Sequence, residues 1–126
     1  HAVACAGALA NLEIIEGEGL VENSAKMGAR LLDGLNGLRS HRTVGDVRGL
    51  GLLAGVELVK DKDTKEKFAE TDSAIVTLTK GLQDRGLLTR AGNVISLSPP
   101  LCITAAQVDR IVEIIDDSLT EMETAL

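Results

Sequence analysis

One arginine in this sequence stands where ligand chemistry needs a cation. Leu87–Leu101, LLTRAGNVISLSPPL, reads as a short strand carrying Arg90, a tight Ala91-Gly92-Asn93 turn, and a second apolar strand. Pro99 and Pro100 end that second strand, because proline has no N–H to give a sheet ladder. A guanidinium held at the end of a rigid strand can grip a carboxylate through two parallel N–H bonds. Spacing alone favours the plainer reading, a surface arginine ending an edge strand, since a lone charge specifies little.

Other residues imitate chemistry without the setting for it. Gly49-Leu50-Gly51-Leu52-Leu53-Ala54 satisfies the G-x-G-x-x-G/A dinucleotide pattern. That motif needs a helix to start within it, so that helix amides face a pyrophosphate. The residues that follow, Gly55–Val59, are strand-like instead, so no cofactor is expected at this loop. Arg48 between Val47 and Gly49 reads as a partly buried arginine pairing a carboxylate, with Asp46 and Glu57 as equal candidates. A Schiff-base lysine needs a desolvated site. Lys60, Lys62, Lys65 and Lys67 lie in a charged loop and Lys26 and Lys80 on polar helix faces, so none qualifies. His1 and His41 have no partners at metal-ligand spacing, and no Ser-His-Asp or Cys-His set assembles. On these criteria the chain holds no catalytic residue, no cofactor-binding residue and no metal ligand.

Composition narrows the partners. A chain of 126 residues with 44% apolar content is long enough for one domain with a real core. Phe68 is its single aromatic, which opposes single-stranded nucleic-acid binding by stacking. A net charge of −6 opposes a phosphate-backbone partner. Cys5 and Cys102 read as reduced core thiols of a cytoplasmic protein, and no membrane span or signal peptide is apparent.

The elements follow from spacing. His1–Ile15, HAVACAGALANLEII, is a helix apolar on nearly every side, a pattern that belongs between other elements. The expectation is a fragment of a larger protein, or a chain that buries this helix against a partner. Gly17 and Gly19 separate it from a second helix, about Leu20–Arg39, with Leu20, Met27, Leu31, Leu35 and Leu38 in one stripe. Val44–Val59 reads as two strands or one bent strand. Lys60–Glu70 is a charged loop anchored by Phe68. Asp72 or Ser73 caps a third helix with Ile75, Leu78, Thr79 and Leu82 inward and Gly86 at its end. After the Arg90 hairpin, Thr104 and Gln107 form a capping box for a last helix whose Val108, Ile111, Val112, Ile115, Leu119 and Met122 share a face. Four short strands in close-connected pairs predict an α+β fold, a short antiparallel sheet with helices on one face.

Three segments in register carry a resemblance over essentially the whole chain. HAVACAGALANLEIIEGEGLVENSAKMGARLLDGL, then VGDVRGLGLLAGVELVKDK, then GLLTRAGNVISLSPPLCITAAQVDRIVEII resemble the C-terminal part of class III (subgroup II) aminotransferases. These are pyridoxal-phosphate enzymes of fold type I. Ala2 departs from the pattern, which usually has proline after the histidine. The resemblance implies that residues 18–126 form the small C-terminal α+β domain, and that residues 1–17 belong to or pack on a large domain. It implies that the lysine binding pyridoxal 5'-phosphate lies upstream, so that this fragment is inactive alone and does not bind the cofactor. It also implies a homodimer in the parent enzyme, with the active site at the dimer interface.

The same resemblance gives Arg90 a role. ω-Amino acid:pyruvate and amine:pyruvate transaminases place a substrate-carboxylate arginine in the strand before the "PPL" segment, and Arg90 matches it, with a turn one residue shorter than in some members. The 4-aminobutyrate transaminases carry an arginine where this chain has Ser96. The implied reaction is amino transfer from an amine or ω-amino acid donor to a keto acid acceptor such as pyruvate. The alternative is a non-catalytic anion-binding or assembly domain using Arg90.

Overall fold

Two glycines and a proline pair punctuate this chain. Gly19, left-handed at φ 60°, breaks the N-terminal helical run into α1 (Ala2–Gly17) and α2 (Leu20–Gly37). A 3₁₀ turn (Leu38–Ser40) leads into β1 (Val44–Leu50), which pairs antiparallel with β2 (Leu53–Leu58). Then follow α3 (Ser73–Asp84), β3 (Val94–Leu97) and α4 (Ala105–Thr124). The computed structural model describes residues 1–69 and 71–126; Glu70, the end of the charged stretch, lies outside the described residues.

The fold is α+β, with a three-stranded antiparallel sheet in the order β1-β2-β3. Val56 in the central strand faces Val47 and Ile95, and all three are buried. The next row outward on the opposite face is Arg48, Gly55 and Ser96. Period-two alternation thus sends valine and isoleucine inward and leaves a polar, glycine-thinned row outside. The core joins these strands to Leu31 and Leu35 of α2, Leu78 and Leu82 of α3, and Ile115 and Leu119 of α4. Phe68, the single aromatic, is buried within it.

The capping predictions hold at both later helices. Asp72 caps α3 by accepting from the Ala74 N–H at 3.0 Å. At α4, Thr104 and Gln107 form the full reciprocal box. Gly86 ends α3 at φ 90°, with the Leu87 N–H donating back to the Leu82 carbonyl at 2.9 Å, an αL glycine stop.

Several expectations are overturned. Three strands form, not four, because Leu87–Arg90 is not a strand. The Leu87 N–H is committed to the helix it has just left, and little chain remains before the turn to build a ladder. Cys5 and Cys102 are free and exposed, not core thiols; each lies outside the apolar stripes that meet the sheet. The apolar α1 overturns nothing, since the expectation is cover from outside this chain: it has no buried residue, and Val3, Leu9, Leu12 and Ile14 are all more than half exposed. Among the described residues α1 packs chiefly on α2, and one neighbouring helix cannot cover a helix that is apolar on every side.

Candidate substrate-binding site

The 86–100 segment is held by Ser96. The Ser96 N–H donates to the Arg90 carbonyl at 3.0 Å, an isolated antiparallel bridge. The Thr89 hydroxyl donates to the Ser96 carbonyl. Arg90 therefore extends the outer row Arg48–Gly55–Ser96 by one position, with its backbone tied down.

Its side chain is exposed. Arg30, Arg39, Arg48, Arg85 and Arg110 each pair with a carboxylate, and Arg42 donates to the Glu123 carbonyl. Among the described residues Arg90 has no such partner. It stands between two clefts. One, of about 600 Å³, is walled by Leu87, Leu88, Ser98, Pro99 and Gln107. The other, of about 480 Å³, is walled by Ile75, Asn93 and Val94. An unengaged guanidinium beside an apolar wall can bind an anionic end and pack the rest of a small molecule.

Arg48 behaves differently from expectation. It is exposed, not partly buried, and it pairs with both candidates, with Nη1 at 2.7 Å from Glu57 and 3.1 Å from Asp46. Their side-chain hydrogen bonds, Glu57 foremost, hold the guanidinium pKa above its ordinary value. Arg39 and then Arg48 hold the Asp46 carboxyl below its own. Both lie on the outer face because the Asp46/Glu57 row faces away from the core. The Gly49–Ala54 segment is strand, turn and strand, with Gly51 at φ 55° and no helix start, so it has no helix amides to aim at a pyrophosphate.

The lysines of this chain do not have the setting of a Schiff-base residue. All six lysines are exposed; Lys80, for example, pairs with Asp84 at 2.6 Å and Lys62 donates to the Arg39 carbonyl at 2.9 Å. A lysine that is to form a Schiff base needs a desolvated amine, which these exposed side chains do not have. Among the described residues there is no grouping of three or more His, Cys, Asp or Glu suited to a metal ion, and no helix long and apolar enough to cross a membrane.

Sequence reasoning treated Asn93 only as a turn former. In the structure its side chain grips the backbone of Phe68 at both ends: Oδ1 accepts from the Phe68 N–H at 3.0 Å and Nδ2 donates to the Phe68 carbonyl at 2.8 Å. The partner is 25 residues away, so spacing carries no trace of it.

The chain is similar to known proteins over nearly its whole length. The aminotransferase class-III family matches residues 1–119. A taurine–pyruvate aminotransferase of Bilophila wadsworthia is 48% identical over 126 residues, covering 94% of this chain and 27% of the relative. An uncharacterized aminotransferase of Bacillus subtilis, YhxA, is 47% identical, covering 91% of this chain and 27% of the relative. The chain thus spans about a quarter of the length of these relatives. An (S)-enantioselective ω-transaminase from Thermomicrobium roseum superposes with a TM-score of 0.91 at 41% identity, over 97% of this chain and 28% of that one. With the match extending over nearly every residue, the chain belongs to the class-III aminotransferases.

Proposed function

We propose that this chain is the C-terminal part of an aminotransferase that moves an amino group from an amine or ω-amino acid to a keto acid such as pyruvate, with Arg90 binding the substrate carboxylate. The observation that carries the reading is the exposed Arg90 guanidinium, without a carboxylate partner among the described residues, at the junction of two clefts and on a backbone fixed by Ser96. Residues 18–126 form the small domain, and α1 with residues 1–17 packs on the rest of a subunit that works as a homodimer. Its bare apolar surface, with Val3 at 75% exposure, supports that placement.

Class-III aminotransferases are pyridoxal-phosphate enzymes in general, and the cofactor supplies the electron sink. This chain contributes binding and orientation. A bidentate guanidinium clamp fixes the carboxylate, and fixing the anion raises the effective concentration of the reacting carbon. Taurine, named for several relatives, is an ω-amino acid with a sulfonate in place of the carboxylate, an anion that the same clamp can hold.

The test uses the full-length enzyme. Arg90→Ala lowers kcat/KM for pyruvate and for β-alanine by roughly tenfold to a hundredfold, as loss of a charge-assisted pair implies. The half-reaction with an uncharged donor such as 1-phenylethylamine is much less affected. An equal loss for charged and uncharged donors overturns the carboxylate role.

A further inference from the structure

We infer that Asn93 is a positioning residue for Arg90: it pins the Ala91-Gly92-Asn93 turn to the Phe68 backbone and so fixes where the Arg90 guanidinium can reach. The inference rests on the carboxylate role of Arg90 proposed above.

Three separated stretches of chain meet at Asn93. Its side-chain amide bonds both main-chain polar groups of Phe68, accepting from the N–H at 3.0 Å and donating to the carbonyl at 2.8 Å. Its own carbonyl accepts from the Leu58 N–H, at the end of the central strand, at 2.9 Å. Phe68 is itself only 3% exposed, so the anchor belongs to the core and not to a loose loop. On the other side of the turn, Arg90 is held through its carbonyl by Ser96. Between the two anchors lie only Ala91 and Gly92, and Gly92 has open space where a side chain would be. Without the Asn93 side chain that side of the turn keeps its main-chain bond to Leu58 and the β3 ladder but loses its tie to Phe68, and the turn can shift about what remains. A binding group set on a displaced turn loses much of its orienting power, because a misplacement of about 1 Å costs as much as a hundredfold in rate.

An asparagine does this where other turn formers cannot. Its amide offers a donor and an acceptor side by side and so meets the N–H and the C=O of a single residue. Serine, glycine or aspartate would satisfy the turn but not both Phe68 groups.

The test compares Arg90→Ala, Asn93→Ala, Asn93→Asp and the Arg90→Ala/Asn93→Ala double variant in the full-length enzyme. KM and kcat are read for β-alanine, pyruvate and 1-phenylethylamine, with thermal melting alongside. Asn93→Ala raises KM for the two carboxylates by roughly fivefold to tenfold, the worth of about one net hydrogen bond in placing the clamp. Its KM for the uncharged amine stays within about twofold, and in the Arg90→Ala background the selective effect vanishes. Asn93→Asp keeps the acceptor for the Phe68 N–H but sets an anion against the Phe68 carbonyl, and gives the same selectivity; it carries the test if the alanine variant does not fold. A selective loss in Arg90→Ala with a uniform loss, or none, in both Asn93 variants overturns the positioning role alone. No selective loss in Arg90→Ala overturns the reading on which it stands.

Discussion

Gly28 and Gly51 meet backbone to backbone: a Cβ built on Gly28 would lie 2.3 Å from the Gly51 carbonyl carbon and oxygen. This contact seats α2 on the β1–β2 turn, and Gly51 can adopt its φ of 55° there without strain. In an isolated helix, Gly28→Ala would add about 1 kcal/mol of helix propensity. Here the new methyl meets main chain, which cannot rotate away. The expected outcome is a net loss of about 1–3 kcal/mol, the usual cost of overpacking. A lowered urea midpoint with unchanged slope would register it; a raised midpoint would show that the turn yields.

His41 joins the 3₁₀ turn and β1 to α4. Its Nε2 lies 2.6 Å from Asp116 and its Nδ1 3.2 Å from Glu123, and Glu123 also accepts from the Thr43 N–H and hydroxyl. Carboxylates only accept, so both ring nitrogens are satisfied together by the imidazolium. Burial of the ring opposes that charge, but the bonds to Asp116 and Glu123 outweigh it and raise the pKa. For Glu123, burial opposes ionisation, but the Thr43 bonds and His41 outweigh it and lower the pKa. A raised histidine stabilises fully below its unfolded value of about 6.5 and loses this as pH rises through the folded value. A lowered glutamate stabilises above its unfolded value of about 4.3 and loses this as pH falls. Denaturation midpoints should therefore decline as pH rises above about 6.5, and His41→Gln should flatten that decline.

At the start of α4, Thr104→Ala removes the hydroxyl that accepts from the Gln107 N–H, and disconnects one half of the reciprocal box. The expected cost is about 1 kcal/mol. Thr104→Ser should restore most of it; calorimetric melting of the three proteins compares them directly.

Phe68 tests the core more severely. It is the single aromatic and is 3% exposed. Phe68→Ala should cost about 3–5 kcal/mol through lost transfer energy and a cavity, and Phe68→Leu much less. Because Asn93 grips the Phe68 backbone, the alanine variant should also raise KM for carboxylate substrates, whereas an unchanged KM would show that the anchor survives the cavity.

What the sequence determined by itself is local. Thr104 and Gln107 are three residues apart, so the box that starts α4 is readable without a tertiary neighbour. The same holds for Asp72 before α3, for Gly86 after it, and for the buried stripe of Met27, Leu31, Leu35 and Leu38 at helical spacing. Val44–Val59 was legible as strand because alternation and glycine spacing are properties of a few consecutive residues, and of the two forms left open, two strands or one bent strand, the structure has two.

Only the tertiary structure decided the rest, because it turns on which distant segment supplies a partner. The Leu87–Arg90 strand gave way to a single bridge once the Leu87 N–H went to α3. Arg48 took both acidic neighbours on an exposed face, and Cys5 and Cys102 fell outside the core. Asn93 found its partner 25 residues away. Hydrogen bonds and burial across such separations depend on the path of the chain, and neither residue type nor spacing encodes that path locally.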